Sequence, residues 1–128
     1  MQSLQQELAA CCQEFQVKRE GHRLSITAIF CFPPSFPGFD GHFPGVPVLP
    51  GIIQLAAIRH LAEVALQRPL FPAGYERTKF RGMISPDEQI HTALHLESTE
   101  EHWRGRFSIK RLNDEPVASG NCTFSQGY

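Results

Sequence analysis

His42 stands in the run Gly41-His42-Phe43-Pro44-Gly45, followed by Pro47 and then by Pro50-Gly51 at the start of an apolar stretch. Glycines and prolines pin the backbone on both sides, and a pinned imidazole is suited to take a proton from one fixed place. If a helix starts at Gly51, the N–H groups of residues 51–53 leave its first turn unpaired, at the positive end of the helix dipole. Such a spot holds developing negative charge. A base beside an oxyanion site is what proton removal next to a carbonyl requires. A lone histidine beside phenylalanines is more often structural, but the motif around His42 weighs against that reading.

Other candidates are weaker. His91 and His95 sit four residues apart in a strand-like run, roughly 13 Å at about 3.3 Å per residue, so they cannot chelate one ion. They are expected to face solvent, opposite Ile90, Leu94 and Leu96. Cys11, Cys12, Cys31 and Cys122 match neither a disulfide framework nor a zinc knuckle and are expected to be reduced thiols, mostly buried, with Cys122 in the core. No metal and no cofactor is expected.

Several elements must position His42. Residues 3–15 place Leu4, Leu8, Cys11 and Phe15 near a helical spacing, with Ser3 as N-cap. Residues 16–32 read as a hairpin, with strands around 15–19 and 23–32 and a turn at Glu20-Gly21. Residues 33–50 hold six of the ten prolines together with Phe36, Phe39 and Phe43. That proline density excludes helix and central strand, and so aromatic a segment is expected to pack on the body as an ordered loop. Residues 51–67 form the only long helix candidate, roughly 25 Å at 1.5 Å per residue. Arg59, His60, Glu63 and Gln67 cluster on one side of it and nearly everything else is apolar, so it is buried over most of its circumference. Pro69 stops it. Strands follow around 74–82, 88–98, 103–111 and 116–125, separated by turn signals at Ser85-Pro86-Asp87, Thr99-Glu100-Glu101 and Asn113-Asp114. One buried helix with five or six mostly consecutive strands is an α+β pattern, an antiparallel sheet wrapped around a single helix.

Composition narrows the function classes. The chain has 128 residues, 41% hydrophobic and 20% charged, with a net charge of −1, so no global field draws nucleic acid and any basic docking site must be local. No apolar run reaches membrane-spanning length, and the start MQSLQQELAA lacks a signal peptide's basic residues and long apolar stretch, so no membrane partner is expected and the cytoplasm is the expected compartment.

The motif G-H-F-P-G-x-P-x-x-P-G, followed by Ile52 and Ile53, resembles the signature of the 3-hydroxyacyl-acyl-carrier-protein dehydratases, a family with the hotdog fold. The likeness extends to Lys79-Phe80-Arg81 and Ile84-Ser85-Pro86-Asp87-Glu88, and Gln54 after PGII is most similar to a subgroup found with aryl polyene and other specialised lipid pathways. The resemblance implies a single hotdog domain over residues 1–128 that eliminates water from 3-hydroxyacyl thioesters to give trans-2-enoyl thioesters, in fatty acid or polyene biosynthesis. It implies His42 as the base and Gly51 as the backbone donor to the thioester oxygen, with Phe43, Pro50, Ile52 and Ala56 against the substrate. It implies acyl carrier protein as a partner and at least a homodimer, because the family's acid, a Glu or Asp, comes from the helix of the other subunit.

The acidic position lies fourteen residues after the histidine, and here it is Ala56. A methyl group donates no proton. Glu63 lies only about 20° around the helix from Ala56 but roughly 10 Å along it; Asp40 is close to His42 in sequence and is suited to orient it; His60 is one turn beyond Ala56, within reach through a water. None stands in the family's place. Two alternatives therefore remain: a binding subunit that depends on a second hotdog subunit for the acid, and a hotdog thioesterase. Arg77, Lys79 and Arg81 alternate along one strand, either to meet the acidic helix of a carrier protein or simply as solvated strand charges.

Overall fold

The computed structural model describes residues 3–39 and 48–126. Helix α1 (Leu4–Cys11) starts at Ser3, whose Oγ accepts the Gln6 N–H while the Gln6 side chain accepts the Ser3 N–H. This capping box satisfies two donors that the first turn otherwise leaves open. The helix ends at Cys11, earlier than the apolar spacing through Phe15 suggests, because the backbone from Cys12 onward pairs with a neighbouring strand. Strand β1 (Cys12–Glu20) runs antiparallel to β2 (Arg23–Cys31), from Cys12 opposite Phe30 to Glu20 opposite Arg23. The ladder slips between Gln13 and Gln16, with Glu14 at φ 50°, and Phe15 packs against the core from this bulge. The hairpin turn uses Gly21 at φ 61°, where a side chain would be strained.

Four more strands follow: β3 (Leu70–Phe80), β4 (Gln89–Ser98), β5 (His102–Arg111) and β6 (Pro116–Gln126). The six form one antiparallel sheet in the order β1-β2-β4-β5-β6-β3, so β1 and β3 are its edges. The third strand begins at Leu70 rather than near 74, and runs through Pro72. An edge position, with the register shifting between Pro72 and Gly74, tolerates the missing N–H.

Alternate residues of the strands face inward, among them Leu24, Ile26, Phe30, Leu94, Phe107 and Phe124, all buried. Against them lies α2 (Gly51–Leu66), through Ala57, Ile58, Leu61 and Ala62. The sheet therefore wraps one helix, as the pattern of elements predicts. Outside it, His91 and His95 are exposed as expected. All four cysteines are free thiols; Cys11 and Cys122 are buried, Cys12 and Cys31 half-buried. Burial pushes the Cys122 thiol up to about 12.

The aromatic loop is ordered as far as it is described, with a short 3-10 turn over Pro37–Phe39. Ring centroids step from Phe30 to Phe32 (5.6 Å), to Phe36 (4.9 Å) and to Phe39 (6.3 Å). Asp40, His42 and Phe43 lie outside the described residues. Among the described residues no helix is long and apolar enough to cross a membrane.

Candidate active site

The start of α2 is fixed by contacts from either side. Pro50 is the N-cap residue at φ −63° and ψ 151°, without a side-chain cap bond. Just before it the Leu49 N–H donates to Ile84 O (3.0 Å), while Gln54 reaches back and donates its Nε2 to Leu49 O (3.2 Å). The N–H groups of Ile53 and Gln54 both donate to Pro50 O (3.1 and 3.2 Å). Of the three donors expected to be open, Ile53 is thus engaged in a tight first turn, and Gly51 and Ile52 keep theirs unpaired among the described residues.

Gly51 lets a ring come close here. A Cβ on it would stand 2.8 Å from Cζ of Phe80, so the half-exposed ring of Phe80 lies directly on the first turn. Ile52 points out, 76% exposed, and Ala56 is half-buried one turn further on. This end of the helix presents two free donors in an apolar setting with no charged side chain from residue 48 to 58.

The rest of α2 is different. Glu63 Oε2 accepts the Leu70 N–H (2.9 Å), and Oε1 stands 3.8 Å from Nε of Arg59; the Glu63 side chain is only 13% exposed. One oxygen thus ties the helix's end to β3 while the other faces Arg59 of the same helix without a hydrogen bond, and Glu63 sits at this corner rather than at Ala56. Tyr75 on β3 closes the same corner, its hydroxyl pushed up by burial and then by the neighbouring Cys122.

His60 departs from its expected place. The helical spacing groups it with Arg59, Glu63 and Gln67 on a polar side, but it is 8% exposed, its ring edge-on to Phe30 of β2 at 6.5 Å and 72°. Burial pushes its pKa down, against an opposing pull from Glu63, so it is held toward the neutral form. Phe30 of β2 covers the helix at His60, and the outward stripe of α2 is marked by Ile52 and Val64, 76% and 44% exposed.

On the outer face of the sheet, Arg77, Lys79 and Arg81 line one groove of about 800 Å³. Their regular alternation is broken: Arg77 adopts φ 53° where the pairing of β3 with β6 shifts between Glu76 and Lys79. Arg106 and His95, from β5 and β4, line the same groove. None of these four Lys and Arg side chains has an ion-pair partner among the described residues. Sequence reading missed Arg106, which joins the cluster only through strand order. It also missed Phe80, though the apolar residue between Lys79 and Arg81 was a signal. Among the described residues no cluster suited to a metal ion is found.

A six-stranded antiparallel sheet wrapped on one buried helix defines a hotdog-type fold. The comparisons narrow this further. Residues 16–121 match the ApeI-like family, described as ApeI dehydratase, and the chain belongs to that family. A 3-hydroxyacyl-[acyl-carrier-protein] dehydratase of Streptococcus thermophilus is 32% identical, over 80% of this chain and 77% of the other. One from Pelotomaculum thermopropionicum is 35% identical over 48% of this chain, a match that spans about half, 49%, of that relative's length. Among solved structures, the dehydratase heterocomplex ApeI:P from Xenorhabdus doucetiae superposes with a TM-score of 0.63 at 20% identity, over 87% of this chain and 95% of the other.

Proposed function

We propose that this chain eliminates water from 3-hydroxyacyl thioesters presented by acyl carrier protein, giving trans-2-enoyl thioesters. The observation that carries the reading is the start of α2, where Gly51 and Ile52 keep unpaired N–H groups nine residues or more after His42. In this reading the thioester oxygen takes a hydrogen bond from the Gly51 N–H, which acidifies the neighbouring C–H, and His42 removes that proton. Pro50, Ile52, Ala56 and Phe43 bound the acyl group. The four cations of the outer groove, Arg77, Lys79, Arg81 and Arg106, receive the acidic carrier protein, since unpaired charges steer an oppositely charged partner. Two copies assemble along the outward stripe of α2 and the β3 edge, where Phe71 and Phe80 are about half exposed. Sedimentation at micromolar concentration tests that assembly; a stable monomer counts against it.

Hydration of crotonyl and longer enoyl thioesters, the reverse reaction, gives the direct assay. His42→Ala should lower that rate by at least the ~10²-fold that a general base contributes. An unchanged rate removes His42 from the mechanism.

Ala56 in place of the family's acid supports a second reading, in which the chain is an acyl-binding subunit completed by another hotdog protein. The likeness to one member of a dehydratase heterocomplex is consistent with it. Activity that appears only on mixing with a second hotdog subunit decides for this alternative.

A further inference from the structure

If the chain catalyses the elimination by itself, the departing 3-hydroxyl must receive a proton from something other than residue 56. Around that position few donors are found among the described residues, which do not include Asp40. Glu63 is tied to Leu70 and Arg59. Gln54 is spent on Leu49 O, and an amide is no acid at neutral pH. The Arg59 guanidinium does not give up its proton in proteins.

His60 remains. It follows Ala56 by four residues on α2, so the two occupy adjoining turns of one flank with Cβ atoms about 5–6 Å apart. Side chains on a helix tilt toward its N-terminus, which directs His60 toward the turn that carries Ala56, where a methyl takes less room than a carboxylate side chain. The ring is 8% exposed, packs against Phe30 and makes no hydrogen bond among the described residues. Its ring nitrogens are not sealed off: among the described residues the buried side-chain atoms without a partner are Gln54 Oε1, Arg59 Nε, Thr78 Oγ1 and Trp103 Nε1. The charged group acting on it is Glu63, while β2 presents the apolar Phe30 on the other side.

We infer that His60 replaces the missing carboxylate as the proton donor to the leaving hydroxyl. The inference rests on the dehydratase reading above. As His42 takes the α-proton, the C–O bond at C3 breaks, its electron pair stays on oxygen, and the proton from the His60 imidazolium completes a water molecule. The C2–C3 double bond forms, His42 ends protonated and His60 neutral, and exchange with solvent restores both. In the two-copy assembly proposed above, the His60 of one protomer serves the base of its partner.

The experiment compares wild type, His60→Gln, and His60→Gln with Ala56→Glu, each checked for folding and for turnover of enoyl thioesters between pH 5 and 9. Wild-type kcat/KM for this hydration should fall as pH drops below the ordinary imidazole value of 6.5, because in this direction neutral His60 takes the proton from water and its protonated form cannot. His60→Gln should be slower by about 10²-fold and flat over that limb, since the amide carries no titrating proton. Adding Ala56→Glu should restore at least about tenfold, which excludes misfolding as the cause of the loss. Active wild type with an unchanged rate and pH limb in His60→Gln overturns the role of His60 while leaving the dehydratase reading intact. Purified wild type with no activity on any chain length overturns the reading of a self-sufficient enzyme, and the role of His60 with it.

Discussion

The two ends of α2 are built for opposite purposes. From Pro50 to Ala56 the helix carries no charge, exposes Ile52 and keeps two N–H groups unpaired among the described residues. From Arg59 to Leu66 it is held closed: Glu63 grips the first residue of β3 and pairs with Arg59, and Gln67 finishes the helix in a left-handed conformation at φ 55°. The comparison separates chemistry from support within sixteen residues. A carboxylate that sequence spacing offers as a spare acid is a strut, and the residue that spacing assigns to the polar side is buried next to the vacant acid position.

Four experiments break or sharpen this contrast. The largest effect is expected at the open end. Ala56→Glu should raise turnover toward the ~10²-fold that a positioned acid supplies, with the melting temperature unchanged, because glutamate is a good helix former at a half-buried site. Steady-state hydration kinetics check it, and a flat response removes position 56 from the reaction.

At the closed end, Glu63→Ala should cost about 1–3 kcal/mol of stability, the loss of a charge-accepted hydrogen bond with the Leu70 N–H left unpaired. Denaturant titration reads the cost, while turnover of the folded protein stays near wild type. Lost activity at full stability breaks the division of labour. Smaller is the effect of Lys79→Glu with Arg106→Glu, which should raise KM for acyl-carrier-protein substrates by about tenfold and leave simple pantetheine thioesters alone. Equal effects on both substrates remove the groove from carrier docking.

The smallest change concerns alkaline stability. The Cys122 thiol stays protonated in the folded state up to about 12, whereas unfolded it ionises near 9.0. Its contribution is full below pH 9.0 and is lost as pH rises from there toward about 12. Cys11, Cys12 and Tyr75 are shifted in the same direction by burial and add to that loss. Cys122→Ala should flatten part of it in thermal melts taken across that range.

Periodicity and punctuation were enough for α2, the β1–β2 hairpin and the last three strands, because apolar alternation and Pro, Gly and Asp turns act within a few residues. The errors fall where pairing overrides local preference. Cys12–Phe15 belongs to β1 because β2 offers it partners, and β3 starts at Leu70 because an edge accommodates Pro72. At the site, Pro50-Gly51 was legible as a helix start. The Phe80 ring on Gly51, the Gln54 bond that steadies Leu49, and Arg106 beside Lys79 depend on side-chain choices and strand order that no local spacing encodes. The burial of His60 was hidden for the same reason: the flank of a helix that faces solvent is decided by how far the sheet curls around it.

Cys122 also offers a clock. It lies on β6 opposite Tyr75 of the edge strand β3, 3% exposed, with its thiol held un-ionised. An alkylating reagent should reach the half-buried Cys31 first and wait for β3 to peel from β6 before it meets Cys122. The lag between the two reactions then measures how often that edge opens. A second copy seated on β3 should lengthen the lag as protein concentration rises, which makes a single buried sulfur a gauge of both local breathing and assembly.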